Sequence, residues 1–212
     1  MLVELSGRAK VLELGIGTGR VAVSLKKFGI DIRGIDASVE MVKKLHDKQD
    51  GVNIPVVVGD FTEVPIEGTF GLIFVAFNTL FCLSTPELQT KCLENVSKHL
   101  LAEGKFLVEA FVPDLTLFQG GQALRVGGIF GGEVRIDASL LDSANQIIET
   151  RHISITENGI QIYPIKLRYI WPSELDAMAR LAGMKLMSRW EDWSKKPFSD
   201  KSRKHISIYE KL

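Results

Sequence analysis

Cysteine is scarce in this chain, with two residues, Cys82 and Cys92, among 212. Two thiols exclude a disulfide framework, and their spacing is not that of a metal site. They read as small buried thiols in a reducing cytoplasm, with no metal expected. An excess of one charge is also missing: 26 Lys and Arg balance 26 Asp and Glu. That balance excludes a chain built to coat nucleic acid, which carries a basic surplus. No apolar run approaches the length of a membrane span. The opening stretch, MLVELSGRAK, lacks the basic region and apolar core of a secretory leader. We therefore expect no nucleic-acid and no membrane partner, and a cytoplasmic location. The sequence gives no oligomeric state. What is present is ordinary for a folded protein, 45% hydrophobic and 25% charged residues. The length suits one domain over 1–212 with room for an insertion.

The first half alternates between two periods. Residues 10–14 (KVLEL) read as a strand, and Arg20 to Phe28 as a helix with Val21, Leu25 and Phe28 on its buried face and Gly29 as its stop. Ile30 to Asp36 is a second strand, Ser38 caps a helix carrying Met41, Val42 and Leu45, and Ile54 to Gly59 and Phe70 to Ala76 are further strands. Thr85-Pro86-Glu87 starts a helix running to about Leu101, and Lys105 to Ala110 is a fifth strand. Such alternation with continuous apolar strands predicts a doubly wound α/β fold around a mostly parallel sheet. From Phe111 to Gly132 the chain is glycine-rich without a period and reads as loop. Three alternating runs between Glu133 and Trp171, separated by 142–145 and 157–159, predict a small antiparallel meander inserted after the fifth strand. Pro172 restarts a helix that stops at Gly183, and 185–190 and 206–210 are the final strands.

The stretch VLELGIGTGR, residues 11–20, carries the chemistry. Its glycines, Gly15, Gly17 and Gly19, follow G-x-G-x-G, with Arg20 where a dinucleotide fingerprint has its third glycine. Glu13 stands just before the loop, and a carboxylate beside a pyrophosphate is repulsive. Asp36 closes the second strand, about twenty residues beyond Gly15, where an acid accepts from a ribose. Asp60 follows the third strand. Three successive strand ends thus present carboxylates to one rim of the sheet. Such a rim disfavours phosphate and suits a ligand with a cation, a diol and an exocyclic amine, with Phe61 or Met41 packing on an adenine. S-adenosylmethionine has all of these. Each acid alone can instead cap a helix or meet water.

Residues 13–19 (ELGIGTG), 34–38 (GIDAS), 59–61 (GDF) and 75–80 (VAFNTL) together resemble the ordered motifs of class I S-adenosylmethionine-dependent methyltransferases. The resemblance covers Lys10 to about Ala110, and residues 168–175 (RYIWPSEL) extend it toward bacterial small-molecule members, distantly the amino-sugar N-methyltransferases. It implies a seven-stranded, mostly parallel Rossmann-like sheet whose last strand, 206–210, is antiparallel. It also implies cofactor contacts at Glu13, Gly15, Gly17, Asp36, Asp60 and Phe77, with Gly19, Ala37, Met41 and Phe61 completing the set. The implied activity is methyl transfer from S-adenosylmethionine to an O or N atom of a small metabolite, releasing S-adenosylhomocysteine.

Such transfer needs alignment of the acceptor and exclusion of water; a general base helps but is not obligatory. Candidates near the reacting centre are Asn78, Glu109, His152 and Tyr163. The meander within 111–171 would roof the acceptor site. Each candidate also has a structural reading, as do Trp171, Trp190, Trp193 and Phe198, which line a pocket or pack in the core. The segment after strand four, 78–81 (NTLF), lacks the prolines typical of enzymes that methylate base amines. The basic cluster at 195–205 reads as a solvated hairpin, or else suits an acidic substrate. Nine residues precede Lys10, fewer than the covering segment of small-molecule members, so the expectation is a lid-truncated form or a lid from another surface. Two alternatives remain at this point: a member that binds cofactor without transferring methyl groups, and a nucleotide-linked oxidoreductase.

Overall fold

A computed structural model describes residues 1–7 and 9–212. In chain order the elements begin with α1 (Leu2–Ser6), β1 (Val11–Leu14), α2 (Ala22–Lys27), β2 (Ile32–Asp36), α3 (Val39–His46), β3 (Val56–Val58), β4 (Phe70–Val75), α4 (Pro86–His99) and β5 (Leu100–Phe111). There follow β6 (Gln122–Phe130), β7 (Glu133–Asp142), β8 (Ile147–Thr156), β9 (Gly159–Arg168), α5 (Pro172–Leu181), β10 (Met184–Trp190) and β11 (Lys204–Lys211). Seven strands pair in the order β10-β11-β5-β4-β1-β2-β3, and the other four form a separate sheet in the order β6-β7-β8-β9. In the main sheet the pairs from β5 to β3 are parallel, and β11 is antiparallel to both its neighbours. The doubly wound, mostly parallel sheet is the one the strand–helix alternation predicted, and its seven strands with an antiparallel β11 are what the resemblance implied.

The helices start where the capping chemistry places them. Ser38 Oγ accepts from Met41 N, and Thr85 Oγ1 accepts from Leu88 N ahead of Pro86. Because side chains alternate along a strand, each face of the main sheet buries its own layer. Leu12, Leu14, Ile73 and Val108 pack toward Leu93 of α4 and Leu175 of α5. Val11, Ile32, Leu72 and Leu107 pack toward Leu2, Leu25 and Leu45 of the first three helices. Each fully buried aliphatic side chain contributes about 2 kcal/mol.

Three expectations are corrected. The segment expected as loop contains β6, so the inserted sheet has four strands rather than three. Its register shifts between Val126 and Gly128, and this bulge resets the parity of the side chains, which hid the alternation. Second, α2 is shorter than expected and ends before Phe28, which turns to solvent instead of joining Leu25. Third, Cys92 is buried but Cys82 is exposed.

One polar knot ties the two sheets together. Arg168, buried at the end of β9, donates to Gln89 of α4, to Gln146 Oε1 at 3.0 Å and to Glu174 Oε1 of α5 at 2.8 Å. Gln89 Nε2 returns a bond to the Arg168 carbonyl at 2.9 Å. Beside this knot Leu141, Ile148 and Leu167 of the second sheet pack on the main core. Among the described residues, no helix is long and apolar enough to cross a membrane.

Candidate cofactor and acceptor site

Glu13 sits one residue from the end of β1, flanked by Gly34 on β2 and Phe74 on β4. Strand parity points it to the same face as Val11, toward α2, where the Ala22 backbone N–H donates to it. Its Oε2 is buried and accepts no hydrogen bond. Burial pushes its carboxyl up to about 8, the charge of Asp36 adds to the rise, and the Ala22 bond opposes it. A buried carboxyl with one unused oxygen favours a ligand that brings positive charge or donors.

The glycine loop folds back over β2 because Gly15 N and Ile16 N both donate to Ile35 O, at 2.8 and 3.0 Å. Gly34 leaves the space that Ile16 fills. Gly15, Gly17 and Gly19 have φ of +68°, +53° and +73°, the left-handed region that glycine adopts without strain. Their surroundings differ. A Cβ at Gly15 would overlap the Thr79 methyl, and one at Gly19 would overlap Leu45. At Gly17 the nearest atom would be Asp36 Oδ2, 4.0 Å away, so its backbone is open to a ligand.

Asp36 is held by that loop. Its Oδ2 accepts from Gly17 N at 2.6 Å and its Oδ1 from Ser38 N at 2.9 Å, which leaves a lone pair on each oxygen. Asp60 follows the adjoining strand and accepts from Thr62 N and Thr62 Oγ1 through Oδ1 alone, at 2.8 and 2.6 Å. The three acids thus stand at the carboxyl ends of neighbouring strands β1, β2 and β3. Ala37 and Met41 are exposed beside them, whereas Phe61 joins the core.

The turn after β4 is strained and braced. Phe77 and Asn78 have φ of +55° and +64°, which cost about 1 kcal/mol each for residues with a Cβ. Phe77 N donates to Glu109 Oε2 at 3.1 Å, Asn78 N to the Glu109 carbonyl at 3.2 Å, and Phe111 N to Asn78 Oδ1 at 2.8 Å. Trp193 Nε1 donates to the other Glu109 oxygen at 2.9 Å. Both Glu109 oxygens are therefore occupied in holding the turn, and Asn78 acts as a brace. Phe77 stays exposed, with the Arg20 guanidinium 4.9 Å from its ring centre. Neither the Trp193 bond nor the Arg20 stack was visible in the sequence.

The inserted sheet turns a graded face toward this turn. Beyond its apolar base comes a hydroxyl pair, Ser139 and Thr150, 2.8 Å apart. Next is a transverse row of Arg125, Asp137, His152 and Tyr163, one from each strand. His152 Nδ1 lies 2.6 Å from Asp137 Oδ1. A cavity of about 550 Å³ separates this face from Phe111, Phe118 and Arg203. A second, of about 400 Å³, is lined by Phe77, Asn78, Glu109, Phe111 and Arg203. Phe111 and Arg203 are common to both. The structure thus brings Asn78 and Glu109 together, places His152 beside Tyr163, and sets the two pairs on adjoining cavities. Asp137 was absent from the sequence candidates. Trp171 packs edge-on against Tyr169, and Phe198 edge-on against His205. In the basic segment Lys195, Lys196 and Arg203 pair with Glu4, Glu191 and Asp114.

Comparison with known proteins follows the same outline. Residues 11–104 match the family described as a methyltransferase domain. The cypemycin N-terminal methyltransferase of a Streptomyces species is 25% identical over 210 residues, spanning 98% of this chain and 84% of that protein. The structure of the CcbJ methyltransferase from Streptomyces caelestis superposes with a TM-score of 0.95 at 33% identity, covering 100% of this chain and 86% of that one. CalS10, an amino pentose methyltransferase from Micromonospora echinaspora, has a TM-score of 0.74 at 17% identity, covering 97% and 84%, and so shares the fold.

Proposed function

The chain belongs to the S-adenosylmethionine-dependent methyltransferases, and on that premise we propose that it methylates an amine nitrogen of a small metabolite. In this reading residues 1–212 act as one unit, and 111–171 supply the roof of the acceptor site. The observation that carries it is the cavity of about 550 Å³ that has Phe111 on one wall and His152 with Asp137 on the other. Relatives named for N-terminal and amino-pentose methylation support nitrogen over oxygen. All the relatives named above are methyltransferases, which disfavours the oxidoreductase alternative.

Glu13, Gly15, Gly17, Gly19, Asp36, Ala37, Met41, Asp60 and Phe77 would hold the cofactor. The fit rests on Glu13, whose unpartnered buried oxygen suits an ammonium group, and on Asp36, whose remaining lone pairs suit a diol. With Phe61 drawn into the core, packing on an adenine falls to Met41. When bound, S-adenosylmethionine supplies the electrophilic methyl group and leaves as S-adenosylhomocysteine. The chain's own work is alignment and proton removal. An amine reaches the site protonated and must lose a proton to expose its lone pair. His152 takes that proton, Asp137 holds the ring by its Nδ1 and stabilises the imidazolium, and Tyr163 flanks the pair. Glu109 and Asn78 are positioning residues, which fix the turn bearing Phe77.

Labelled S-adenosylmethionine with matched panels of small amines and alcohols tests the reading by mass spectrometry. Label on nitrogen is expected. His152→Gln should lower kcat about a hundredfold, leaving cofactor affinity intact. Transfer confined to oxygen, or a His152→Gln kcat equal to wild type, would overturn it.

A further inference from the structure

On the reading that His152 meets an amine, we propose that the acceptor also bears a carboxylate, which Arg125 receives two strands away on the same cavity wall. Arg125 on β6 stands opposite Asp137 on β7, and Asp137 stands opposite His152 on β8. All three line the cavity of about 550 Å³. Opposite charges facing each other across a strand pair ordinarily join. Here Asp137 is taken by His152, whose Nδ1 lies 2.6 Å from its Oδ1. Arg125 is left exposed and forms no ion pair among the described residues. Other arginines around this sheet are engaged, Arg135 with Glu133, Arg168 with Glu174 and Arg203 with Asp114.

The charge pattern of the cavity separates Arg125 from a merely solvated arginine and chooses the anion. The charged side chains on its wall are Arg125 and Arg203 against Asp114 and Asp137. Both acids already have a partner, Arg203 and His152, whereas Arg125 has none. Arg203 keeps its side chain 77% exposed beyond the Asp114 contact, so a second guanidinium faces the same space. A guanidinium meets the two oxygens of a carboxylate through two parallel N–H bonds. A phosphate brings a further negative charge, which Asp114 and Asp137 oppose. An ammonium and a carboxylate on one molecule sum to zero and match a wall with two charges of each sign. Neighbouring strands lie ~4.8 Å apart, so the Cα atoms of Arg125 and His152 are about 10 Å apart. That spacing sets the scale on which the two charges of the acceptor are separated.

Calorimetry on the full chain saturated with S-adenosylhomocysteine tests the assignment. The probes are linear ω-amino acids from glycine to aminohexanoate and alkylamines of matching length. At least one amino acid should bind about tenfold tighter, or more, than its matched amine. Arg125→Gln should erase that difference with unchanged circular dichroism and unchanged binding of alkylamines and S-adenosylhomocysteine. Should Arg125→Gln lose its fold, Arg125→Lys, which keeps the charge but not the planar fork, should still narrow the difference. Equal binding of amino acids and amines, a preference that survives Arg125→Gln, no detectable binding of any amino acid, or tighter binding of phosphoethanolamine than of β-alanine would overturn it. Labelled cofactor keeps the two readings apart. Amines methylated without preference for a carboxylate would sink the role of Arg125 and leave that of His152 standing. A carboxylate preference with label only on oxygen would do the reverse.

Discussion

Exchanging Glu13 for glutamine keeps the side-chain shape and removes the proton that burial forces on it. In the folded protein this carboxyl titrates at about 8, against 4.5 for an unperturbed glutamate. Between those values the folded state holds a proton that the unfolded chain has released. Wild-type stability should therefore fall as pH rises through this window, by up to ~1.4 kcal/mol per pH unit. Across the whole window the loss comes to about 3–5 kcal/mol. Glu13→Gln removes this component, so the two stability curves should diverge from pH 4.5 upward and run parallel again above about 8. Cofactor binding should move the opposite way. The variant loses a charge-assisted bond to an ammonium group, roughly a tenfold to hundredfold loss of affinity. In wild type, S-adenosylhomocysteine should bind more tightly as pH approaches 8, with proton release on binding. Urea unfolding from pH 4.5 to 9 and calorimetry in buffers of different ionisation enthalpy measure both arms. Parallel stability curves throughout, or a variant that binds as tightly as wild type, would refute the placement of Glu13 as a buried, cation-seeking acid.

The three loop glycines should separate by role. Gly15→Ala and Gly19→Ala drive a methyl group into Thr79 and Leu45 at positive φ and should cost at least ~2 kcal/mol in a thermal melt, whereas Gly17→Ala should lose only ~1 kcal/mol but at least tenfold in cofactor affinity. Glu109→Gln must turn an NH2 toward either the Phe77 or the Trp193 N–H, so ~1–3 kcal/mol should be lost in chemical denaturation, and an unchanged midpoint would count against the brace. His205 is pushed down to about 4 by burial, helped by the charge of Arg189. The unfolded histidine binds a proton below about 6.5 that the folded one refuses until about 4, so stability should rise with pH over that range, by up to ~3 kcal/mol, and His205→Gln should flatten the rise.

The glycine loop and the acids beside it were legible because their geometry is local. Positive φ at three glycines, a capping Ser38 and acids at strand ends are fixed by residues a few positions apart. The side-chain pairs on the inserted sheet and around Glu109 depend on register. His152 meets Asp137 only because the hairpin at 142–146 has the length it has, and Gln146 sits at φ +57° within it. Glu109 meets Trp193 because β11 runs back along β5 and carries the preceding loop to the turn. Turn residues announced both reversals, but a reversal one residue longer would have turned every partner to the opposite face. The glycine pair inside β6 concealed a strand for the same reason, since a bulge interrupts the parity from which strands are recognised. The side a ring faces was equally hidden: Phe28, expected on the buried face of α2, turns to solvent.

The knot around Arg168 confines the attachment of the inserted sheet to its near end. Substitutions at the free end, around Arg135, Ser154 and Gln161, therefore touch neither the knot nor the glycine loop. On the proposed reading, in which this sheet roofs the acceptor, selection, natural or in the laboratory, can recast that end to admit a different acceptor and leave the glycine loop and its acids unchanged. The same donor half can in this way be handed from one substrate to another by exchanging a few side chains on a single surface.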